Sequence, residues 1–136
     1  MAEGAGVIVV DTGVWVDWFN GIDVSTTRRL DRGLGKEDVG LTALILAEVL
    51  QGIRLDAAFE ETELLLTGLP LVPLDIDGHV AAARLFRTLR RRGVTVRGTI
   101  DCLIAQACIA VDAELLTTDR DFLRIAEHSA LRLCRN

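Results

Sequence analysis

The sequence contains few of the residues that several common classes of site require. It has two histidines, three cysteines and no Cys-x-x-Cys pair, so neither a zinc site nor a disulfide framework is supported. It also lacks a Gly-rich Walker loop and a dinucleotide fingerprint. No stretch reaches the roughly 18 apolar residues of a membrane span, and residues 1–6 lack the basic region of an export signal. We therefore expect a reduced, cytoplasmic protein with no membrane partner.

The chain also lacks a positive net charge. The formal net charge of −5 argues against non-specific nucleic-acid binding by overall electrostatics, because Lys and Arg dominate phosphate binding. Residues 87–97 differ from this average, since they carry five arginines and no acid. This arginine strip either offers a docking surface for a phosphate-bearing partner or simply closes a helix before Gly93, where cations complement the helix dipole.

The hydrophobic pattern predicts a single α/β domain over residues 1–136. Residues 7–10 form an unbroken β-branched run, which is typical of a strand covered on both faces. Further strands are predicted at 39–41, 71–74, 114–117 and 131–133. Helices are predicted at 14–19, 25–34, 43–53, 56–67, 99–111 and 120–128, and Thr42 is expected to be the N-cap of the helix at 43–53. A further long helix is predicted to end at Arg92, with Asp75 or Asp77 as its N-cap. Strands that alternate with helices indicate a mostly parallel sheet with helices on both faces.

Four acidic residues lie where a hydrophobic element begins or ends, or inside one. Asp11 follows the first strand, Asp119 follows a later strand, Asp101 opens a helix and Glu48 lies within an apolar helix. Carboxylates are rarely buried without a partner. Because the functional crevice of a parallel sheet lies beyond the carboxyl ends of its strands, Asp11 and Asp119 are expected in one cleft. Asp101 and Glu48 could line its wall.

Converging carboxylates would need cations. Two unit charges about 4 Å apart repel by roughly 4 kcal/mol at an effective dielectric near 20, and Mg²⁺ or Mn²⁺ accepts carboxylate oxygens while leaving positions for a phosphate. A pair of such ions is suited to hydrolysis of a phosphodiester. Each acid also has an ordinary explanation: Asp11, Asp101 and Asp119 as turn, cap or first-turn residues, and Glu48 as part of a polar stripe. Spacing alone does not decide between these interpretations.

Around these four acids the chain resembles the PIN-domain ribonucleases, and within them the VapC-type toxins of toxin-antitoxin modules. Four segments carry the resemblance, in order: VDTGVWVD at 10–17, TALILAEVLQG at 42–52, DCLIA at 101–105 and LLTTDRDF at 115–122. The resemblance spans nearly the whole chain. It implies a PIN-like three-layer α/β/α sandwich and an Mg²⁺-dependent endoribonuclease, with Mn²⁺ as the alternative ion.

The resemblance also implies site residues. Asp11, Glu48, Asp101 and Asp119 would bind a pair of Mg ions and act in catalysis, with Asp121 as an alternative to Asp119. Two further expectations concern the neighbours: Thr117 or Thr118 would orient a carboxylate or a water from behind the ligands, and Gly13 stands where a serine is often found. The latter removes a hydroxyl but no carboxylate.

The partners implied by the resemblance are an RNA substrate, a second copy of the chain in a homodimer, and a cognate VapB-type antitoxin that inhibits the enzyme. Operator DNA would be contacted only through the antitoxin complex. Trp15, Trp18 and Phe19 lie close together in one short predicted helix, and they are either core residues or part of the antitoxin interface.

Three other functions remain open from the sequence. A PIN-like domain that binds RNA or a partner without cutting would keep the same fold. An aspartate-based phosphatase could use Asp11 as a nucleophile, but its usual second acid two residues later is replaced by Gly13. A receiver-type signalling module would require a lysine late in the chain, whereas the only lysine is Lys36.

Overall fold

A computed structural model describes residues 6–135 of the chain. Residues 1–5, on which the prediction of no export signal largely rests, lie outside this range. The strands are β1 (Ile8–Val10), β2 (Val39–Gly40), β3 (Glu114–Leu116) and β4 (Arg132–Leu133). The helices are α1 (Thr12–Phe19), α2 (Ser25–Gly35), α3 (Ala43–Gln51), α4 (Asp56–Thr67), α5 (Ile76–Arg91), α6 (Thr99–Val111) and α7 (Arg120–Glu127).

The four strands form one parallel sheet in the order β2-β1-β3-β4. In this sheet Val9 of β1 lies opposite Gly40 of β2 and Leu115 of β3. All three residues of β1 are buried. Since successive side chains of a strand point to opposite faces, β1 must be covered on both faces. The predicted α/β/α sandwich with a parallel central sheet is thereby confirmed.

The strand predicted at residues 71–74 is wrong. Leu71 makes only an isolated parallel bridge to Leu41, supported by a hydrogen bond from Val72 N to Leu41 O. The ladder cannot continue because Thr42 already caps α3 on one side. On the other side Asp75 caps α5, so few residues remain to extend the pairing.

The helix ends follow local side-chain chemistry. Thr42 Oγ1 accepts a hydrogen bond from Ile45 N at 3.2 Å and begins α3 as predicted, but α3 ends at Gln51, two residues before the predicted end, because Gly52 forms its C-cap. Of the two residues predicted to cap α5, Asp75 does so by accepting a hydrogen bond from Gly78 N at 2.7 Å.

The arginine strip closes α5. Arg90 and Arg91 lie in its last turn, Arg92 forms the C-cap, and Gly93 follows with a left-handed φ of 76° that favours glycine. The helix-closing interpretation of Arg90 to Arg92 is therefore confirmed, whereas their docking of a phosphate-bearing partner stays a prediction.

The buried hydrophobic side chains form one cluster around the central strands. At the carboxyl end of the sheet, Asp11 N donates a hydrogen bond to Leu116 O at 2.9 Å. This bond places the residues that follow β1 beside those that follow β3. None of the helices within residues 6–135 is long and apolar enough to cross a membrane.

Candidate active site

The four predicted acids line one cavity of about 620 Å³ at the carboxyl edge of the sheet. Each comes from a different part of the fold. Asp11 caps α1 and Asp119 caps α7, while Glu48 projects from α3 and Asp101 from the first turn of α6. The structure therefore brings all four together, and the capping interpretation of Asp11 and Asp119 holds at the same time.

Two threonines fix the orientation of Asp11 and Glu48. Asp11 Oδ1 accepts a hydrogen bond from the backbone N–H of Thr12, and its Oδ2 accepts one from Thr117 Oγ1, each at 2.8 Å. Thr12 Oγ1 in turn donates to Glu48 Oε1 at 2.9 Å. Because these hydroxyls hold both carboxylates from behind, the side chains are oriented before any ligand binds.

Asp119 belongs to a different set of contacts. Its backbone N–H donates to Thr117 Oγ1 at 3.0 Å, and its Oδ1 accepts from Asp121 N at 2.9 Å. Its Oδ2 accepts from Nη2 of Arg97 in a short charged contact. Asp121 Oδ2 accepts from both Nε and backbone N of Arg97, at 3.2 and 3.3 Å. Both acids are thus paired with the same arginine.

Asp101 is the least satisfied of the acids. Its Oδ2 is buried and has no hydrogen-bond partner within the described part of the chain. Burial, followed by the charge of Asp119, raises the pKa of Asp101 to about 6, although Arg97 opposes this shift. Burial also raises the pKa of Asp11, while the hydrogen bonds from Thr117 and Thr12 lower it. Both shifts show that the cavity disfavours an uncompensated negative charge.

The cavity has the donor set of a hard divalent cation. Its acidic groups offer only oxygen atoms, which suit Mg²⁺ or Mn²⁺, and the unpartnered Oδ2 of Asp101 provides an unused one. Within residues 6–135, however, no three His, Cys, Asp or Glu side chains stand close enough to hold a metal as they are. The residue types fit the ion, but the acids would have to move closer together to coordinate it.

A second, apolar groove of about 720 Å³ adjoins this cavity. One wall comes from α1, with Val16, Trp18 and Phe19, and the other from α4, with Leu65. Glu48 lines both the groove and the acidic cavity. The aromatic cluster is therefore divided: Trp15 is fully buried in the core, while Trp18 and Phe19 face the groove.

The sequence matches the PIN domain family over residues 8–128. The chain is a PIN domain. Two relatives are 35% identical to it over 130 residues, which cover 93% of this chain and 96% of theirs: VapC ribonuclease Mb1587 of Mycobacterium bovis and ribonuclease VapC11 of Mycobacterium tuberculosis. This level of identity places the PIN domain among the VapC-type proteins and confirms the resemblance drawn from the sequence.

Solved structures share the fold of this PIN domain. VapBC2 from Rickettsia felis, bound to a DNA fragment from its promoter, superposes with a TM-score of 0.76 at 22% identity, covering 94% of this chain and 97% of the other. VapBC-1 from nontypeable Haemophilus influenzae superposes with a TM-score of 0.73 at 18% identity, covering 94% and 96%. At such identities the likeness supports the fold alone.

Sequence reasoning misses two residues that contact the acids of the site, and one wall of the groove. Thr12 directly follows Asp11 but carries no signal of its own, and Arg97 groups by composition with the arginine strip rather than with the acids. Of the strip, Arg97 alone lines the cavity. A cation four residues before Asp101, directly ahead of the N-cap of the same helix, is the signal that could have found it. The contribution of α4 to the groove has no local signal.

Proposed function

We propose that this PIN domain, taken as a single domain over the whole chain, is a metal-dependent endoribonuclease and the toxin of a toxin-antitoxin pair. Its substrate is RNA, and its catalytic carboxylates are Asp11, Glu48, Asp101 and Asp119. The observation that carries the proposal is the meeting of these four acids in one cavity. Membership of the family that contains VapC ribonucleases supports it.

The residues of the cavity divide the work of RNA cleavage. Asp11, Glu48 and Asp101, with Asp119 beside them, would hold Mg²⁺ or Mn²⁺. Such an ion would supply charge neutralisation at the phosphate and activation of a water molecule. Thr12 and Thr117 keep the Glu48 and Asp11 carboxylates oriented toward the cavity, which reduces the reorganisation needed during the reaction.

The apolar groove is the proposed docking surface for a VapB-type antitoxin. Val16, Phe19 and Leu65 are exposed there, by 42%, 39% and 38%, and exposed apolar side chains grouped in one groove mark protein interfaces. Solved neighbours of the same fold are VapBC complexes, which supports this assignment. A homodimer, contact with operator DNA only through the antitoxin complex, and a cytoplasmic location belong to the same proposal.

The proposal is tested by incubating purified transfer and ribosomal RNA with the protein in Mg²⁺, in EDTA, and with Asp101→Asn and Asp11→Asn prepared identically. We expect cleavage in Mg²⁺ that EDTA and both substitutions abolish, because each asparagine removes a charge that the cation requires. The folds should remain intact or become slightly more stable, since a repelled, desolvated carboxylate is lost. Full activity of either variant would defeat the assignment of the acids.

A non-catalytic PIN-like domain that binds RNA or a partner is the second candidate. It predicts RNA binding without cleavage and no effect of EDTA in the same assay. The unpartnered buried oxygen of Asp101 weighs against it, because a domain that only binds has no need to keep a buried carboxylate unsatisfied.

A further inference from the structure

Arg97 brings a positive charge into the acidic cavity from within the chain. Its guanidinium contacts Asp119 through Nη2 and Asp121 through Nε. Its backbone N–H also donates to Asp121 Oδ2. Arg97 is therefore held through both its guanidinium and its backbone, although 76% of its side chain is exposed. Because it also lines the cavity, these contacts place its charge beside Asp119 and Asp121.

The anchor for Arg97 is itself well buried. Only 12% of the Asp121 side chain is exposed, and Arg124 approaches its Oδ1 at 4.0 Å. Arg124 also donates to Thr95 O at 2.9 Å, so α7 contacts the segment before α6 at Thr95 as well as at Arg97. Asp121 thus serves to hold Arg97 in place beside Asp119.

The carboxylate oxygens of the cavity fall into two unequal groups. Asp119 Oδ2 accepts from the guanidinium of Arg97, which is a cation, whereas the carboxylate oxygens of Asp11 accept, in the described part of the chain, only from the neutral donors Thr12 N–H and Thr117 Oγ1. Asp101, in contrast, has a buried Oδ2 without a partner within the described residues. One side of the cavity is therefore already neutralised by a cation of the protein, while the other still requires one.

We propose that Arg97 takes the place of a second metal ion in the RNA-free protein. A single divalent ion then binds on the side of Asp11, Glu48 and Asp101, and Asp119 does not contact it while Arg97 remains paired. This inference rests on the proposed metal-dependent function and deepens it, since it states how many ions the free enzyme holds and assigns a positioning role to Arg97.

The test is the number of Mn²⁺ ions bound by the RNA-free protein, measured by electron paramagnetic resonance during titration. We expect a single tight ion in the wild type and a second ion in Arg97→Gln, whose Asp119 is released. Arg120→Gln is the matched control, because Arg120 lines the same cavity but makes no ion pair within residues 6–135. It removes the same charge and should still bind a single ion.

Asp119→Asn gives a second readout that does not depend on the folding of the Arg97 variant. In the wild-type background it should weaken Mn²⁺ binding by less than about threefold, whereas loss of a residue that supports a metal site typically costs about 10- to 100-fold. In the Arg97→Gln background it should abolish the second ion.

Two ions in the wild type, with no change in Arg97→Gln, would overturn the role of Arg97 and leave the ribonuclease proposal standing. A large loss of the first ion in Asp119→Asn would overturn it as well. Absence of Mn²⁺ binding in every variant would overturn both this inference and the metal-dependent function, so the two failures are distinguishable.

Discussion

The acidic cavity and the apolar groove are neighbours that share Glu48 but follow opposite physical rules. The cavity gathers carboxylates whose burial and mutual repulsion raise the pKa values of Asp11 and Asp101. The groove gathers exposed apolar side chains such as Phe19 and Leu65. Each is unfavourable in the isolated chain, the first through electrostatics and the second through contact of apolar surface with water.

The difference indicates that the two surfaces suit two kinds of ligand. A cation would offset the carboxylate charges of the cavity, and an apolar protein surface would cover the exposed side chains of the groove. Because both surfaces meet at Glu48, a partner seated in the groove would lie next to the proposed catalytic acids. Under the proposed function, inhibition by an antitoxin would then require only a short extension of that partner into the cavity. The following substitutions test whether the two surfaces can be separated.

The largest effect is expected at the shared residue. Glu48→Gln keeps the size of the side chain and removes its charge. RNA cleavage should therefore fall by more than about 100-fold, which exceeds the usual loss of activity when a residue that only orients a metal ligand is replaced. Antitoxin affinity, measured by calorimetry, should change little because the apolar contacts remain. An equal loss of cleavage and antitoxin binding would show that the cavity and the groove act as one surface.

A charge in the groove should have the next largest effect. Leu65→Asp should weaken antitoxin binding by about 30-fold, the effect of a typical hot spot of about 2 kcal/mol, while cleavage by the free protein is unchanged. Leu64→Asp is the matched control, because Leu64 is its neighbour in α4 and is 78% exposed but does not line the groove. Equal binding by both variants would place the antitoxin elsewhere.

A smaller effect is expected behind the cavity. Thr117→Val removes the hydroxyl that donates to Asp11 and accepts from Asp119 N, so cleavage should fall by about tenfold, as is usual for residues that orient a metal ligand. Thr118→Val is the control, since Thr118 lines the cavity and is exposed. If the two variants lose activity equally, the orientation of Asp11 is not what Thr117 supplies.

The smallest effect concerns stability as a function of pH in the metal-free protein. The carboxyl of Asp101 has an ordinary pKa of 3.8, which the fold raises to about 6, so the unfolded chain ionises first as the pH rises. The free energy of unfolding should therefore decrease between pH 3.8 and about 6. Urea denaturation in EDTA should show a weaker decrease in Asp101→Asn, and Mg²⁺ should restore stability near neutral pH.

An identical pH dependence in the wild type and Asp101→Asn would mean that Asp101 is not the group that titrates. The comparison is Leu64→Asp in α4, because it introduces a carboxylate at a position that is 78% exposed. That new carboxylate should leave the pH dependence of stability nearly unchanged, since a solvent-exposed group keeps similar pKa values in the folded and unfolded chain.

Local sequence signals predict most of the secondary structure. The β-branched residues of β1 indicate a buried strand, and Thr42 and Asp75 indicate the starts of α3 and α5. The exception is the predicted strand at residues 71–74, which the structure replaces with a single bridge between Leu71 and Leu41. Its pairing depends on where the segment of Leu41 ends rather than on the residues at 71–74. An element can be predicted from its own pattern, but the length of a ladder depends on two segments at once.

The sequence by itself determined which residues could form the site. Asp11 and Asp119 follow hydrophobic strands, Asp101 opens a helix, and the parallel sheet predicted from the alternation of elements requires the two strand ends to share one edge. These are consequences of hydrogen bonding and hydrophobic periodicity within short segments. They sufficed to nominate the four acids as candidates. The family came instead from the resemblance of four segments of the chain, which the match to the PIN domain confirms.

Only the tertiary structure decided how those residues are paired. The bond from Thr117 to Asp11 spans 106 positions of the chain and that from Thr12 to Glu48 spans 36, and the contact of Arg97 with Asp119 joins the segment before α6 to the start of α7. The same holds for the groove, whose walls come from α1 and α4. Such contacts depend on how the helices pack on the sheet, and packing is a property of the whole core rather than of any one segment.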